Sequence, residues 1–153
     1  MMRKLRLPTL MVKPLRGDGT ASLLALILRL ALAAPFYLSG RTKVAEGSLL
    51  TPSETTYFLF QTEYANIPLP PDVAAPAATF AEFLLPLLLL LGLGTRVAAA
   101  GLLGMTLMIQ FFVYPDAWWN THFQWTALAL AVLALGPGRW SLDHLIWGRA
   151  GKR

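Results

Sequence analysis

Four apolar stretches recur along this chain, and each is close to the length of helix needed to cross a bilayer. A hydrocarbon core of about 30 Å takes about 20 mostly apolar helical residues. The stretches run from Ala21 to Gly40, Val73 to Gly94, Val97 to Tyr114 and Trp118 to Gly136. In the last, the purely apolar part is short, Thr126 to Leu135. Trp118, Trp119, Phe123 and Trp125 extend it into an interfacial zone that suits aromatic rings. Hydrophobic residues fill 56% of the 153 positions and charged ones only 14%, against about 25% charged in a soluble domain. Disorder needs the opposite composition. The expected fold is an all-α membrane protein, a four-transmembrane-helix bundle.

The connections are unequal. Gly94-Thr95-Arg96 and Pro115-Asp116 are tight turns, so spans two to four form consecutive helical hairpins. The connection from Arg41 to Asp72 is long and should carry structure of its own. Thr51-Pro52-Ser53-Glu54 reads as a capping box with Thr51 at the N-cap, Pro52 at N1 and Glu54 at N3. The helix it opens sets Tyr57, Phe58, Phe60 and Tyr64 against Glu54, Gln61 and Glu63, an amphipathic helix for a membrane surface. Asp72 follows a proline-rich lead and is the expected N-cap of span two.

Lysines and arginines set orientation. One side collects Arg3, Lys4, Arg6, Lys13, Arg16, Arg96, Arg139, Arg149, Lys152 and Arg153. The other has Arg41 and Lys43 with Glu46, Glu54, Glu63, Asp72 and Asp116. Both termini are therefore expected in the cytoplasm and the amphipathic helix in the first extracytoplasmic loop. Residues 1–20 and 148–153 read as basic cytoplasmic tails that contact the lipid bilayer, with no nucleic-acid role. Arg29 interrupts what would be the apolar region of a signal peptide, so span one reads as uncleaved.

Charges inside a bilayer are costly, about 2.5–3.5 kcal/mol at the centre, and so are paired or functional. Arg29 and Glu82 are two such charges. Arg29 lies eleven residues before Gly40 and Glu82 nine after Val73, about 16 and 14 Å of helix. If both spans start near the outer face, the two side chains share a depth and form an intramembrane polar pair. That pair is either a clasp between spans one and two or part of a ligand site. Pro35 and Pro86 free backbone carbonyls close by.

A second polar set gathers near the outer ends of spans three and four: Gln110, Tyr114, Asn120, His122 and Gln124. Gln110 and His122 each lie about one turn inside consecutive spans and should come within reach of one another. With Gln124 and Trp125 they make a candidate ligand pocket. A quinone head group, which needs hydrogen-bond donors and flat apolar walls, suits such residues; an interfacial histidine among tryptophans is the plainer reading. The other histidine, His144, lies beyond span four, so a bis-histidine haem is excluded. His122 with Met108 is a weak metal signal, and no metal site is assigned. Cysteine is absent, which excludes disulfides, thiolate metal sites and Cys-ligated iron–sulfur clusters. Ala100 with Gly104, and Ala127 with Ala131, offer small-residue packing faces. Gly136-Pro137-Gly138 should end span four. Beyond it, a short helix on the cytoplasmic surface is expected, with Trp140 and Trp147 on one face, Leu142, Ile146 and Arg149 nearby, and Asp143 near Arg139.

The string Gly136-Pro137-Gly138-Arg139-Trp140-Ser141-Leu142-Asp143 closely resembles the end motif of the DoxX family of bacterial membrane proteins. Arg29 followed by Gly40 and Lys43 matches the family's Arg…Gly-x-x-Lys pattern. Glu82 followed by Leu91 to Arg96 matches its Glu…Leu-Gly-x-x-Thr-Arg pattern. The resemblance spans about residues 22 to 146, placing a DoxX-like domain at 21–147 between the two tails. It implies a multi-pass protein of the bacterial inner membrane, both termini inside, associated with redox systems.

Three readings of function stand open. One is an accessory membrane subunit of an oxidoreductase or redox-maturation complex, anchoring protein partners and offering a small-molecule, quinone-type pocket. Another is a scaffold or assembly factor without chemistry of its own. The third is a small transporter using Arg29 and Glu82. A soluble catalytic mechanism has no support, because no nucleophile–base constellation stands out.

Overall fold

The computed structural model describes residues 19–147; residues 1–18 and 148–153, Arg149 among them, lie outside the described residues. The elements are α1 (Gly19–Lys43), α2 (Glu54–Thr62), α3 (Pro71–Leu91), α4 (Thr95–Phe112), α5 (Phe123–Leu135) and α6 (Leu142–Trp147). A 3₁₀ turn (Pro115–Ala117) and a π-helical turn (Trp118–His122) lead into α5. Among the described residues three helices, α1, α3 and α4, are long and apolar enough to cross a membrane. The thirteen residues of α5 follow directly from the π turn and run back toward the end where α1 begins.

α1, α3, α4 and α5 pack in a ring, α1 against α3 and α5, and α4 against α3 and α5. The core at their centre is Leu32, Ala33, Phe36, Leu89, Ala98, Ala99, Leu102, Ala129 and Val132. Buried alanines on three of the four helices, Ala33 on α1, Ala98 and Ala99 on α4 and Ala129 on α5, let the helices approach closely. The packing faces are turned from those expected: Ala98, Ala99 and Ala129 are buried, whereas Ala100, Gly104 and Ala127 are exposed. The outer surface carries bare Leu38, Phe80, Val97, Phe111 and Leu130, as a lipid-facing surface requires.

α2 lies over one end of the bundle, packing Phe60 on Ala74 and Ala75 with Tyr57, Tyr64 and Ile67 around them. Its cap differs from the expected box. Ser53 is the N-cap, accepting from Thr56 N, because the Thr51 carbonyl is held by Ala45 N and the Ser53 amide by the carbonyl of Lys43. Likewise α3 begins at Pro71 with Pro70 at the cap, so Asp72 sits in the first turn rather than at the cap.

At the opposite end α5 stops at Leu135. Gly136 and Gly138 both take positive φ, 77° and 74°, and α6 starts as a separate short helix. Ser141 caps it, accepting from His144 N at 3.1 Å while donating to Gly138 O at 2.6 Å. Trp140, Leu145, Ile146 and Trp147 remain largely exposed.

Candidate functional site

Buried polar side chains gather at two levels of the bundle, and the two charges expected to pair, Arg29 and Glu82, each have a different partner. Arg29, fully buried, lies toward the α6 end. Its Nη1 donates to the carbonyl of Leu89 at 3.0 Å and its Nη2 to that of Trp140 at 2.6 Å. The Leu89 carbonyl, in the last turn of α3, also accepts from the capping amide of Gly92 at 3.1 Å, so Arg29 takes up its second lone pair. Gly92 closes that helix in the left-handed region at φ 67°, and a Cβ there would collide with the Arg29 guanidinium and with Ser141. Asp143 completes the knot. Its Oδ1 accepts from Gly94 N at 2.7 Å and its Oδ2 from Thr95 N at 2.9 Å, while its own amide donates to Gly92 O at 2.9 Å.

Asp143 therefore caps α4 from a distant part of the chain, with its negative charge at the positive helix end. Partial burial works against that charge. The amides of Thr95 and Gly94 outweigh it and hold the carboxyl below the ordinary aspartate range. Arg139, on the same segment, donates its amide to Ser22 Oγ at 3.2 Å. Arg29, Gly92, Gly94, Gly138, Ser141 and Asp143 thus form one structural junction tying α1 to the α3–α4 turn and the C-terminal segment.

The expected Arg29–Glu82 pair is not formed. Gly40 packs directly on the backbone of Glu82, where a Cβ would come within 2.9 Å of Glu82 Cβ. Counting back along antiparallel helices from that contact sets Arg29 beside Gly92, some ten residues and about 15 Å beyond Glu82. The expectation of equal depth assumed that the two spans start level, and they do not.

The partner of Glu82 is Lys43. Its Nζ lies 3.0 and 2.8 Å from the two carboxylate oxygens and 2.7 Å from Ser39 Oγ. α1 runs on past Gly40, so Lys43 is still helical and faces inward with Gly40 three residues before it. Its carbonyl is fixed by Ser53 N and Thr56 Oγ, at 2.9 and 2.7 Å. Sequence reading counted Lys43 as a loop charge; the Gly40–Lys43 spacing was the signal that both share one helical face.

Gln110 and His122 do meet, with Nδ1 2.7 Å from Gln110 Oε1. Gln110 Nε2 donates to Pro115 O at 2.7 Å. The π turn ends at His122 and turns its ring inward, where it lies tilted against Trp125 with centroids 5.5 Å apart. Trp125 also packs on Phe36, at 5.1 Å. Gln124 is exposed on the other face of α5 and takes no part.

Between Glu82 and His122 lies a cavity of about 260 Å³, bordered by Phe36, Ser39, Tyr64, Tyr114, Thr121 and Trp125. A second, apolar cavity of about 250 Å³ reaches Glu82 from the side of α2, past Phe60, Met105 and Met108. Tyr64, Glu82 and Ile109 border both. Tyr114 donates to Glu63 at 2.5 Å, and that bond raises its phenol above the ordinary range. Phe36, Ser39 and Tyr64 were not foreseen as part of this site, because α1 and the loop after α2 are remote from α5 in sequence.

The DoxX family profile matches residues 24–115. The chain belongs to the DoxX family. The matched region holds Arg29, Gly40, Lys43, Glu82 and the Leu91–Arg96 turn, and it stops short of the Gly136–Asp143 string. Comparison with curated proteins and with solved structures gives no match in either. Family membership and the three long apolar helices make this a multi-pass membrane protein, of a family often linked to redox-related functions. In this DoxX chain the motif residues divide by role: Arg29, Gly92 and Gly94 build the junction, while Gly40 and Lys43 hold Glu82, which borders the cavity.

Proposed function

We propose that this DoxX protein is an accessory subunit of a redox system in the bacterial inner membrane, and that its cavity holds a small planar molecule of the quinone class. The observation that carries the reading is the cavity itself. It sets an ion-paired carboxylate and an oriented imidazole at its edges, with the rings of Phe36, Trp125, Tyr64 and Tyr114 around it. Bound there, a quinone-type group supplies electron and proton carriage. The chain positions it: the aromatic rings give apolar faces, and Glu82, His122, Ser39 and Thr121 offer polar contacts. α5 crosses as a fourth span, lengthened by the π turn, and both termini lie in the cytoplasm. The return of α5 to the α1 start and the basic residues of both tails support that orientation.

The test is purification of the full chain in mild detergent, followed by solvent extraction and mass spectrometry of small molecules and co-purifying proteins. A stoichiometric quinone-class molecule that is lost in Trp125→Ala, together with subunits of an oxidoreductase, is the expected result. Extracts free of such molecules from well-folded protein would overturn the ligand reading.

A further inference from the structure

Three polar groups on the cavity have their hydrogen-bonding roles dictated by protein partners, and all three are left as acceptors. The first is His122. A carbonyl can only accept, so Gln110 must present its NH₂ to Pro115 O and its Oε1 to the histidine. His122 Nδ1 must then carry the proton. In the neutral ring Nε2 is left with a bare lone pair, and among the described residues no group donates to it. The second is Glu82. Lys43 spends its three protons on Ser39 Oγ and the two oxygens of Glu82, so the ammonium has no donor to spare while the carboxylate keeps unused lone pairs. The third is Tyr114, whose only proton goes to Glu63. The remaining hydroxyls on the cavity are Tyr64, Thr121 and Ser39, the last already accepting from Lys43. Lys43 balances the charge of Glu82, so the cavity favours a neutral guest.

We infer that the cavity selects a neutral aromatic ligand that donates hydrogen bonds, a dihydroxyaromatic of the quinol type, over the corresponding dicarbonyl. His122 Nε2 is the acceptor for one hydroxyl. This rests on the proposed quinone-class occupancy and specifies which form is held. A carbonyl oxygen facing a bare imidazole nitrogen or a carboxylate meets lone pair with lone pair and leaves both groups desolvated without a bond, whereas a hydroxyl satisfies them.

Two measurements test it. His144→Gln leaves His122 as the one histidine in the chain, and ¹⁵N NMR of its ring in lipid nanodiscs reads the tautomer with no ligand present. A proton on Nδ1 and none on Nε2 is expected; the reverse tautomer overturns the inference. Equilibrium dialysis of a short-chain benzohydroquinone and its benzoquinone against wild-type protein, under argon, then compares the two forms. The hydroquinone should bind at least about tenfold more tightly, and Gln110→Leu, which frees the ring to change tautomer, should narrow that ratio. Equal binding of both forms, or preference for the quinone, overturns this inference and leaves the occupancy reading standing. Binding of neither overturns both. The wild-type ratio decides the matter even if Gln110→Leu does not fold.

Discussion

Lys43 of α1 grips both carboxylate oxygens of Glu82 on α3, at 3.0 and 2.8 Å, inside a bundle where each side chain is almost wholly buried. Gly40 makes the contact possible by letting α1 rest on the Glu82 backbone. The ion pair thus depends on a missing side chain one helical turn away.

Stranding either charge is costly. Lys43→Leu and Glu82→Leu should each destabilise the folded protein by about 3–5 kcal/mol. The double variant should recover much of that, since neither charge is then left alone. Denaturant titration of the detergent-solubilised protein gives the coupling energy; strictly additive losses would show that the pair contributes nothing as a pair.

Two glycines of the α3–α4 turn separate backbone conformation from crowding. Gly94, at φ 57°, has open space where a Cβ would go, while Gly92, at φ 67°, faces Arg29 and Ser141. Gly94→Ala should cost about 1–2 kcal/mol, the penalty of the left-handed region. Gly92→Ala should cost about 3 kcal/mol or more, because it also displaces Arg29 from its carbonyls. Thermal melts of the two variants side by side check the order.

Removal of the Asp143 cap should loosen the start of α4. Asp143→Ala is expected to lose about 0.5–2 kcal/mol at neutral pH, with faster hydrogen exchange at the amides of Gly94 and Thr95. The pH dependence has a definite sign. The folded protein holds this carboxyl below the ordinary value, so the contribution is present above the unfolded pKa of about 3.9. It is lost as pH falls through the lower folded pKa. The melting difference between wild type and Asp143→Ala should therefore be constant near neutrality and shrink below about pH 4.

Tyr114→Phe removes the bond to Glu63 that ties the end of α2 to the segment after α4. A loss of about 1 kcal/mol is expected, with increased protease access confined to the connection between α2 and α3. Unchanged cleavage there would show that packing of Tyr64 on Tyr114, with ring centroids 6.1 Å apart, holds the two segments by itself.

The sequence alone determined where the chain is apolar enough to be helical in a membrane, and where it must break. Long apolar runs have few alternatives in lipid, and Gly136-Pro137-Gly138 cannot continue a helix. It also brought Gln110 to His122, because a short turn fixes which residues of a hairpin stand opposite each other. It could not supply the axial slide between α1 and α3, which are joined by a long connection. Hydropathy measures length and is nearly indifferent to a shift of a few turns. That slide is settled where Gly40 meets Glu82, and from it follow the partners of Arg29, Lys43 and Glu82. The same holds for Asp143, whose role as a cap for α4 exists only once the C-terminal segment docks on the α3–α4 turn. The rotation of α4 and α5, which buries Ala98, Ala99 and Ala129 instead of the other small residues, was likewise decided by tertiary packing. Nearly uniform hydrophobicity around a membrane helix marks no inner face.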